Sequence, residues 1–406
     1  MDGGRAAATS ARMHWRSKLI HSDAAAPAGF RGLAATTHRA STVVFDTLAD
    51  ALHDPQGSGG GYTYGLHGTP TVLELAARIA ELEGAHATVI VPSGLNAISL
   101  VYLALCRAGS HVLVPENAYG PNRELGAGLM ARFGVVVESY DPMIGGGIDT
   151  LIRPETALIW TESPGSVTME MQDIPAICAA AKRHGVPVAM DNTYGAGVLF
   201  DAFAHGVDIS MQALTKYVGG HSDILLGSVS CAHPKHARAI DRARRALGAG
   251  VSPDECSLAL RGLQTLAVRL DHLERSTMEV ATWLAARPEV EIMLHPAFPA
   301  CPGHELWKRD FTGSASLFSI VFQPTVTDAA VERFVDALRL FKIGFSWGGV
   351  TSLVMAYPPI HRGACDYGHR LVRLNIGLEE PADLIADLDR ALAAMGAAMG
   401  AETAAG

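Results

Sequence analysis

Between Thr69 and Met190 the chain alternates helix-length amphipathic stretches with short apolar runs, and nothing else in its 406 residues constrains the fold as much. Thr69-Pro70-Thr71 followed by Glu74 reads as a helix start, with an N-cap hydroxyl, proline at the first helical position and a capping-box spacing from Thr71 to Glu74. Val72, Leu75, Ala76, Ile79 and Leu82 then share one face, and Gly84 suits the C-terminal cap. The apolar run 88–91, closed by Pro92, is expected to be a buried strand. Further strands are expected at 111–114, 135–138, 157–161 and 186–190, with helices over 119–133 and 174–184. Strands alternating with helices of this length imply an α/β fold with a mostly parallel sheet covered on both faces. From about Pro253 the texture changes. One long helix is expected over 254–286, then strands at 317–322 and 372–376 mixed with helices over 328–340 and 381–394, a smaller α+β domain. The expected division is an N-terminal segment 1–68, an α/β domain 69–256 and a C-terminal α+β domain 257–406.

Composition narrows the class. Hydrophobic residues make up 49% and charged residues 18%, a globular balance rather than a disordered one. A net charge of −9 without a basic run argues against nucleic acid as a partner. No run of 18 apolar residues occurs, so a membrane is not an expected partner either. Cys106, Cys178, Cys231, Cys256, Cys301 and Cys365 are scattered, with no Cys-x-x-Cys pair. That pattern fits free thiols in a reducing cytoplasm better than disulfides or a zinc site, so no metal is expected. Met1 to Arg12 reads as an unstructured tail, or as a start placed ahead of Met13, rather than a targeting peptide; Gly57 to Gly61 reads as a flexible loop.

In open α/β sheets ligands collect beyond the carboxyl ends of the strands, and three such ends carry useful chemistry. Ser93-Gly94-Leu95 turns a strand into a helix; its amides suit a phosphate, or its serine simply caps the helix. Asp191 ends the 186–190 run and either caps a turn or pairs with a cationic ligand nitrogen. Of six lysines, Lys216 alone stands apart, with no charged neighbour within four residues. It is either a lysine that snorkels from a loop or one whose lowered pKa makes it nucleophilic.

The pieces that carry a resemblance run in order along the chain: Tyr62-Thr63-Tyr64-Gly65, Gly68-Thr69-Pro70-Thr71, Ser93-Gly94, Asn117-Ala118-Tyr119, Glu162-Ser163-Pro164, Asp191-Asn192-Thr193, Thr215-Lys216-Tyr217, Gly220-His221-Ser222-Asp223, Arg261-Gly262-Leu263 and Arg373. Together, from about Lys18 to Arg390, they resemble the Cys/Met-metabolism family of pyridoxal 5'-phosphate (PLP) enzymes. The resemblance implies the aspartate-aminotransferase-like architecture, fold type I of PLP-dependent transferases. It also implies roles. Lys216 joins the cofactor covalently, Asp191 keeps its ring nitrogen protonated with Thr193 beside it, and Tyr119 stacks on the ring. Ser93, Gly94, Leu95 and Thr215 grip the phosphate, and Arg373 clamps the substrate carboxylate. Tyr64 reaches into a neighbouring subunit's site, so the active unit is at least a dimer, and the resemblance implies a homotetramer built as a dimer of dimers.

Two positions depart from the family pattern. Leu66 stands where an arginine normally contacts the phosphate across the subunit interface, leaving His67 and, more weakly, Arg39 as substitutes. Ala213 stands where many members carry a phosphate-binding serine. Phe345-Ser346-Trp347-Gly348-Gly349-Val350 is similar to the bacterial cystathionine β-lyases, whereas γ-acting members read Ser-Leu-Gly-Gly there; Trp347 either narrows the substrate site or merely packs the core. The flanking stretches 164–170, 307–313 and 377–380 agree with that branch. The resemblance therefore implies a carbon–sulfur β-lyase acting on a small amino-acid substrate, L-cystathionine, in methionine biosynthesis. A γ-elimination or γ-replacement enzyme is the first alternative, and a low-turnover regulatory or binding protein of the same fold the second.

Overall fold

The structure, a computed structural model, describes residues 14–20, 32–53, 61–362 and 365–405. The expectations for Met1 to Arg12, for Met13 and for all but the last residue of the Gly57 to Gly61 loop fall outside that range.

Seven strands form the large sheet: β1 (Ala87–Val91), β2 (His111–Pro115), β3 (Val136–Tyr140), β4 (Thr156–Glu162), β5 (Val188–Asp191), β6 (Ile209–Gln212) and β7 (Gly227–Cys231). Their order is β1-β7-β6-β5-β4-β2-β3. The neighbours from β6 through β3 run parallel, and β7 alone runs against its two partners. Successive side chains leave a strand on opposite faces. Val112, Val114, Leu158 and Trp160 accordingly join one core with Ile98 and Val101 of the helix Gly94–Leu105. Leu113, Ile159, Val188 and Met190 join another with Ile174 and Ile177 of the helix Ile174–His184. Both faces are covered, as the alternation requires.

A smaller sheet follows, containing β8 (Val290–Leu294), β9 (Leu317–Phe322), β10 (Lys342–Ile343) and β11 (Leu353–Ala356). A separate two-stranded ribbon pairs β12 (Ile360–Arg362) with β13 (Cys365–Gly368), and β14 (Leu371–Asn375) returns to the small sheet between β11 and β9. Phe318, Ile320 and Phe322 of β9 bury against Phe334 and Leu388 from the helices Asp328–Ala337 and Pro381–Ala405. Among the described residues no helix is long and apolar enough to cross a membrane.

Several local expectations need correction. The helix Pro70–Glu83 begins and ends where its signals place it, with Gly84 left-handed at φ 70°, but Thr69 makes no side-chain cap. Thr71 does not form the capping box. Its hydroxyl donates to the Thr36 carbonyl at 2.8 Å and accepts from His38 N–H at 2.8 Å, pinning the preceding segment onto the helix. The stretch after Tyr119 is a helix Gly120–Leu125 that widens into a π turn at Gly126–Met130, where Val137 packs within 3.0 Å of the place a Gly126 Cβ would take. The long helix expected over 254–286 is two helices, Pro253–Gln264 and Leu266–Ala285, broken at Thr265. The break has a visible cause. Arg269, buried and pulled down to about 10 by desolvation, sends its guanidinium to the carbonyls of Gly262 at 2.8 Å and Tyr217 at 2.6 Å. That arginine ties the bend in the helix to the loop carrying Lys216.

Candidate active site

The carboxyl ends of β4, β5 and β6, the start of the helix Gly94–Leu105 and the segment 345–347 before β11 enclose a cavity of about 440 Å³. Of the residues the sequence singles out, Ser93, Gly94, Leu95, Tyr119, Asp191, Thr193, Thr215, Lys216, Ser346, Trp347 and Arg373 all line it. Tyr64 does not. It lies on a segment tied by a bridge to Thr42 and is 48% exposed.

Lys216 enters from a turn in which its N–H donates to Ala213 O at 3.0 Å and its carbonyl accepts from Gly220 N–H at 2.7 Å. Its Nζ donates to Ser346 Oγ at 2.6 Å and lies 5.4 Å from the Trp347 ring centre. Burial first and the Arg373 charge second pull its pKa down to about 8, against an opposing pull from Asp191. The amine is therefore within reach of its neutral, nucleophilic form near physiological pH.

Asp191 is the last residue of β5 and accepts two hydrogen bonds at one oxygen, from Thr193 N–H at 3.0 Å and Thr193 Oγ1 at 2.5 Å. Thr193 Oγ1 in turn accepts from Ala213 N–H at 2.9 Å, which locks the pair. Glu162 ends β4 directly opposite Asp191 in the parallel register. Burial, then the neighbouring Asp191, push the Glu162 carboxyl well above its ordinary range. Burial also raises Asp191, but the Thr193 bonds and Lys216 favour its charge, so Asp191 is the member of the pair that keeps it. Glu162 Oε2 accepts from Tyr119 N–H at 2.8 Å and so sets where the Tyr119 ring begins.

At the helix start, Ser93 caps the helix by accepting from Asn96 N–H at 3.0 Å. Gly94 is pressed so closely to Ala213 that a Cβ would lie 2.7 Å from the Ala213 methyl. Thr215 Oγ1 donates to the Leu226 carbonyl at 3.2 Å and accepts from Leu226 N–H at 3.2 Å, so its proton is already engaged. Arg373, on β14, is buried, donates to the Ser166 carbonyl at 3.0 Å and lies 5.0 Å from the Tyr357 ring centre. Leu66 faces elsewhere: Arg244 holds its carbonyl at 2.9 Å, and His67 Nδ1 lies 2.8 Å from Thr63 Oγ1. Burial lowers the His67 pKa, and Arg245 and Arg244 lower it further. Arg39 is committed to Asp254.

Sequence reasoning missed Tyr194, Ser166 and Tyr357 as walls and Glu162 as a site carboxyl. For Glu162 a signal existed, since it closes a buried strand as Asp191 does.

A lysine with a lowered pKa, a carboxylate held at a strand end, and a helix start, all lining one cavity, fit a cofactor with an aldehyde, a basic ring nitrogen and a phosphate. The fold and this donor set define a PLP-dependent enzyme. The model of the family described as Cys/Met metabolism PLP-dependent enzyme matches residues 16–393, and the chain belongs to that family. It is 44% identical over 361 residues to a cystathionine beta-lyase of Bordetella avium, covering 87% of this chain and 90% of that one. It is 41% identical over 368 residues to the cystathionine beta-lyase MetC of Escherichia coli, covering 87% and 92%. A solved structure of a proposed O-acetylhomoserine (thiol)-lyase from Campylobacter jejuni, which carries a pyridoxyl phosphate on a lysine, superposes with a TM-score of 0.86 at 25% identity, covering 94% of this chain and 100% of that one. The cofactor of this family is PLP.

Proposed function

We propose that the protein is a carbon–sulfur β-lyase that converts L-cystathionine and water to homocysteine, pyruvate and ammonia. The single observation that carries this reading is Trp347, whose ring lies 5.2 Å from the Tyr217 ring and 5.4 Å from Lys216 Nζ, on the wall of a cavity that Arg373 also lines. Its support from similarity is the cystathionine beta-lyases of Bordetella avium and Escherichia coli.

Bound PLP supplies an electron sink for negative charge at the substrate Cα. The chain supplies the rest. Lys216 Nζ would hold the cofactor, with Asp191 against its ring nitrogen, Tyr119 on its face, and Gly94 and Leu95 amides and the Ser93 side chain around its phosphate; Thr215 would join them only by turning its proton away from the Leu226 carbonyl. Arg373 would bind the substrate carboxylate through its guanidinium fork. Nζ, freed and oriented by Ser346 Oγ at 2.6 Å, would take the Cα proton as general base and return a proton to the departing sulfur. Tyr64, outside its own cavity and half exposed, would serve the site of a neighbouring subunit, which calls for at least a dimer; the homotetramer follows from the family resemblance. The free thiols of Cys106, Cys178, Cys231, Cys256 and Cys301 favour a cytoplasmic setting.

A second reading, γ-elimination or γ-replacement, draws on the scaffold shared with the Campylobacter jejuni protein. Assay of the purified holoenzyme on L-cystathionine separates the two, because β-elimination releases pyruvate and γ-elimination 2-oxobutanoate. Borohydride reduction followed by peptide mapping is expected to label Lys216, and labelling of another lysine would overturn the site.

A further inference from the structure

The turn that presents Ser346 and Trp347 to Lys216 holds two residues in the left-handed region, Ser346 at φ 92° and Gly348 at φ 80°. A non-glycine residue persists there only where its surroundings over-determine it. What surrounds this turn is a buried polar chain. Gly348 N–H can only donate, so the Asn375 atom 2.9 Å away is its oxygen, Oδ1. The same oxygen accepts the Ser316 hydroxyl at 2.8 Å, and Asn375 Nδ2 faces the Thr351 carbonyl at 3.4 Å. Because Ser316 has spent its proton on Asn375, the Tyr217 hydroxyl 2.9 Å away must donate to it, and Tyr217 Oη accepts from Ser316 N–H at 2.9 Å. Every direction in the chain is thus fixed, and Tyr217, Ser316 and Asn375 are all nearly inaccessible to water.

The turn sits directly on the catalytic loop. A Cβ on Gly348 would lie 3.2 Å from the carbonyl carbon of Lys216 and 3.1 Å from the Tyr217 nitrogen. We propose that Asn375 is a positioning residue: by drawing Gly348 N–H and the Ser316 hydroxyl onto one oxygen, it seats the turn 346–348 on the Lys216–Tyr217 backbone and so sets the contact between Ser346 Oγ and Lys216 Nζ. Asn375 does not line the cavity and acts entirely through that turn. The role rests on Lys216 being the cofactor-bearing lysine.

The test reads Lys216 itself in the cofactor-free protein, through the pH dependence of its modification by an amine-reactive reagent, mapped to its peptide. The charged groups facing Nζ, Arg373 and Asp191, are untouched by the substitutions, so a shift reports the contact with Ser346. Asn375→Ala and Ser346→Ala are each expected to lower the midpoint by about one unit, as befits the loss of a hydrogen bond to the ammonium form. The double variant is expected to shift no further than either single, since both remove the same contact. An unchanged midpoint in Asn375→Ala, or shifts that add, overturns the proposal. Where Asn375→Ala does not fold, Ser316→Ala decides the matter, with a smaller shift in the same direction supporting the role and none overturning it. Borohydride labelling of the wild-type holoenzyme separates the two levels. A different labelled lysine removes the site, whereas a labelled Lys216 with an unmoved midpoint removes only the role of Asn375.

Discussion

Replacing Lys216 by methionine should make the cofactor-free protein more stable near neutral pH, while removing its ability to hold PLP. Lys216 falls from its ordinary 10.5 to about 8 in the folded chain. The gap of about 2.5 units corresponds to about 3 kcal/mol at 1.36 kcal/mol per unit. The folded state resists protonation, so the unfolded chain binds more protons and the ammonium weakens the fold. That penalty is complete below pH 8 and fades as the pH climbs from 8 to 10.5, where the unfolded lysine loses its proton too. Methionine keeps the length and apolar stem but abandons the contact to Ser346, which offsets about 1 kcal/mol. A net gain of about 2 kcal/mol at pH 7 is expected, turning by pH 10.5 into a loss of up to about 1 kcal/mol as the penalty fades and the lost Ser346 contact remains. Urea unfolding of both proteins at the two pH values measures it, after cofactor removal, because a ligand bound only to the native state adds its own stabilisation. Equal stability at pH 7, or a gap that ignores pH, would refute the reasoning.

Three further substitutions address other parts of the site. Arg373→Lys keeps the charge but loses the planar fork, and should raise KM for the amino-acid substrate by about ten- to a hundredfold with the bound cofactor's absorbance unchanged. Leu66→Arg should slow cofactor loss during dialysis; unchanged retention would mean that another cation already serves the phosphate, and His67→Ala then tests which. Gly348→Ala forces a Cβ to 3.1 Å from the Tyr217 nitrogen at φ 80°, and thermal unfolding should show a loss of about 1–3 kcal/mol.

The large sheet was legible where strands are apolar and punctuated. β1 is closed by Pro92, and β2 and β4 carry buried aliphatic runs. β6 and β7 were invisible for a physical reason. Their sequences, Ile-Ser-Met-Gln and Gly-Ser-Val-Ser-Cys, bury three hydroxyls, and a distant partner takes two of them. That partner is Glu83, which takes the Ser210 hydroxyl at 2.6 Å and the Ser230 hydroxyl at 2.5 Å. The break at Thr265 was equally hidden, because the helical periodicity runs through it and its cause, Arg269, acts through the Tyr217 carbonyl across space. In the site, Lys216 and Asp191 announced themselves by isolation from charge and by position at a strand end. Asn375 and Tyr357 carry no such mark, since their neighbours come from segments far along the chain.

The end of the cavity built from Ser93, Gly94 and Leu95 has one more consequence. Among the described residues lining the cavity, Lys216 and Arg373 carry the only full positive charges, and neither belongs to this helix start. From this chain, an anion at this helix start meets oriented dipoles instead of ions. Dipoles gather no cloud of counter-ions, so concentrated salt has little there to screen. Cofactor retention should therefore be nearly indifferent to ionic strength, and it would be geometry rather than attraction at a distance that tells a phosphate ester from any other passing anion.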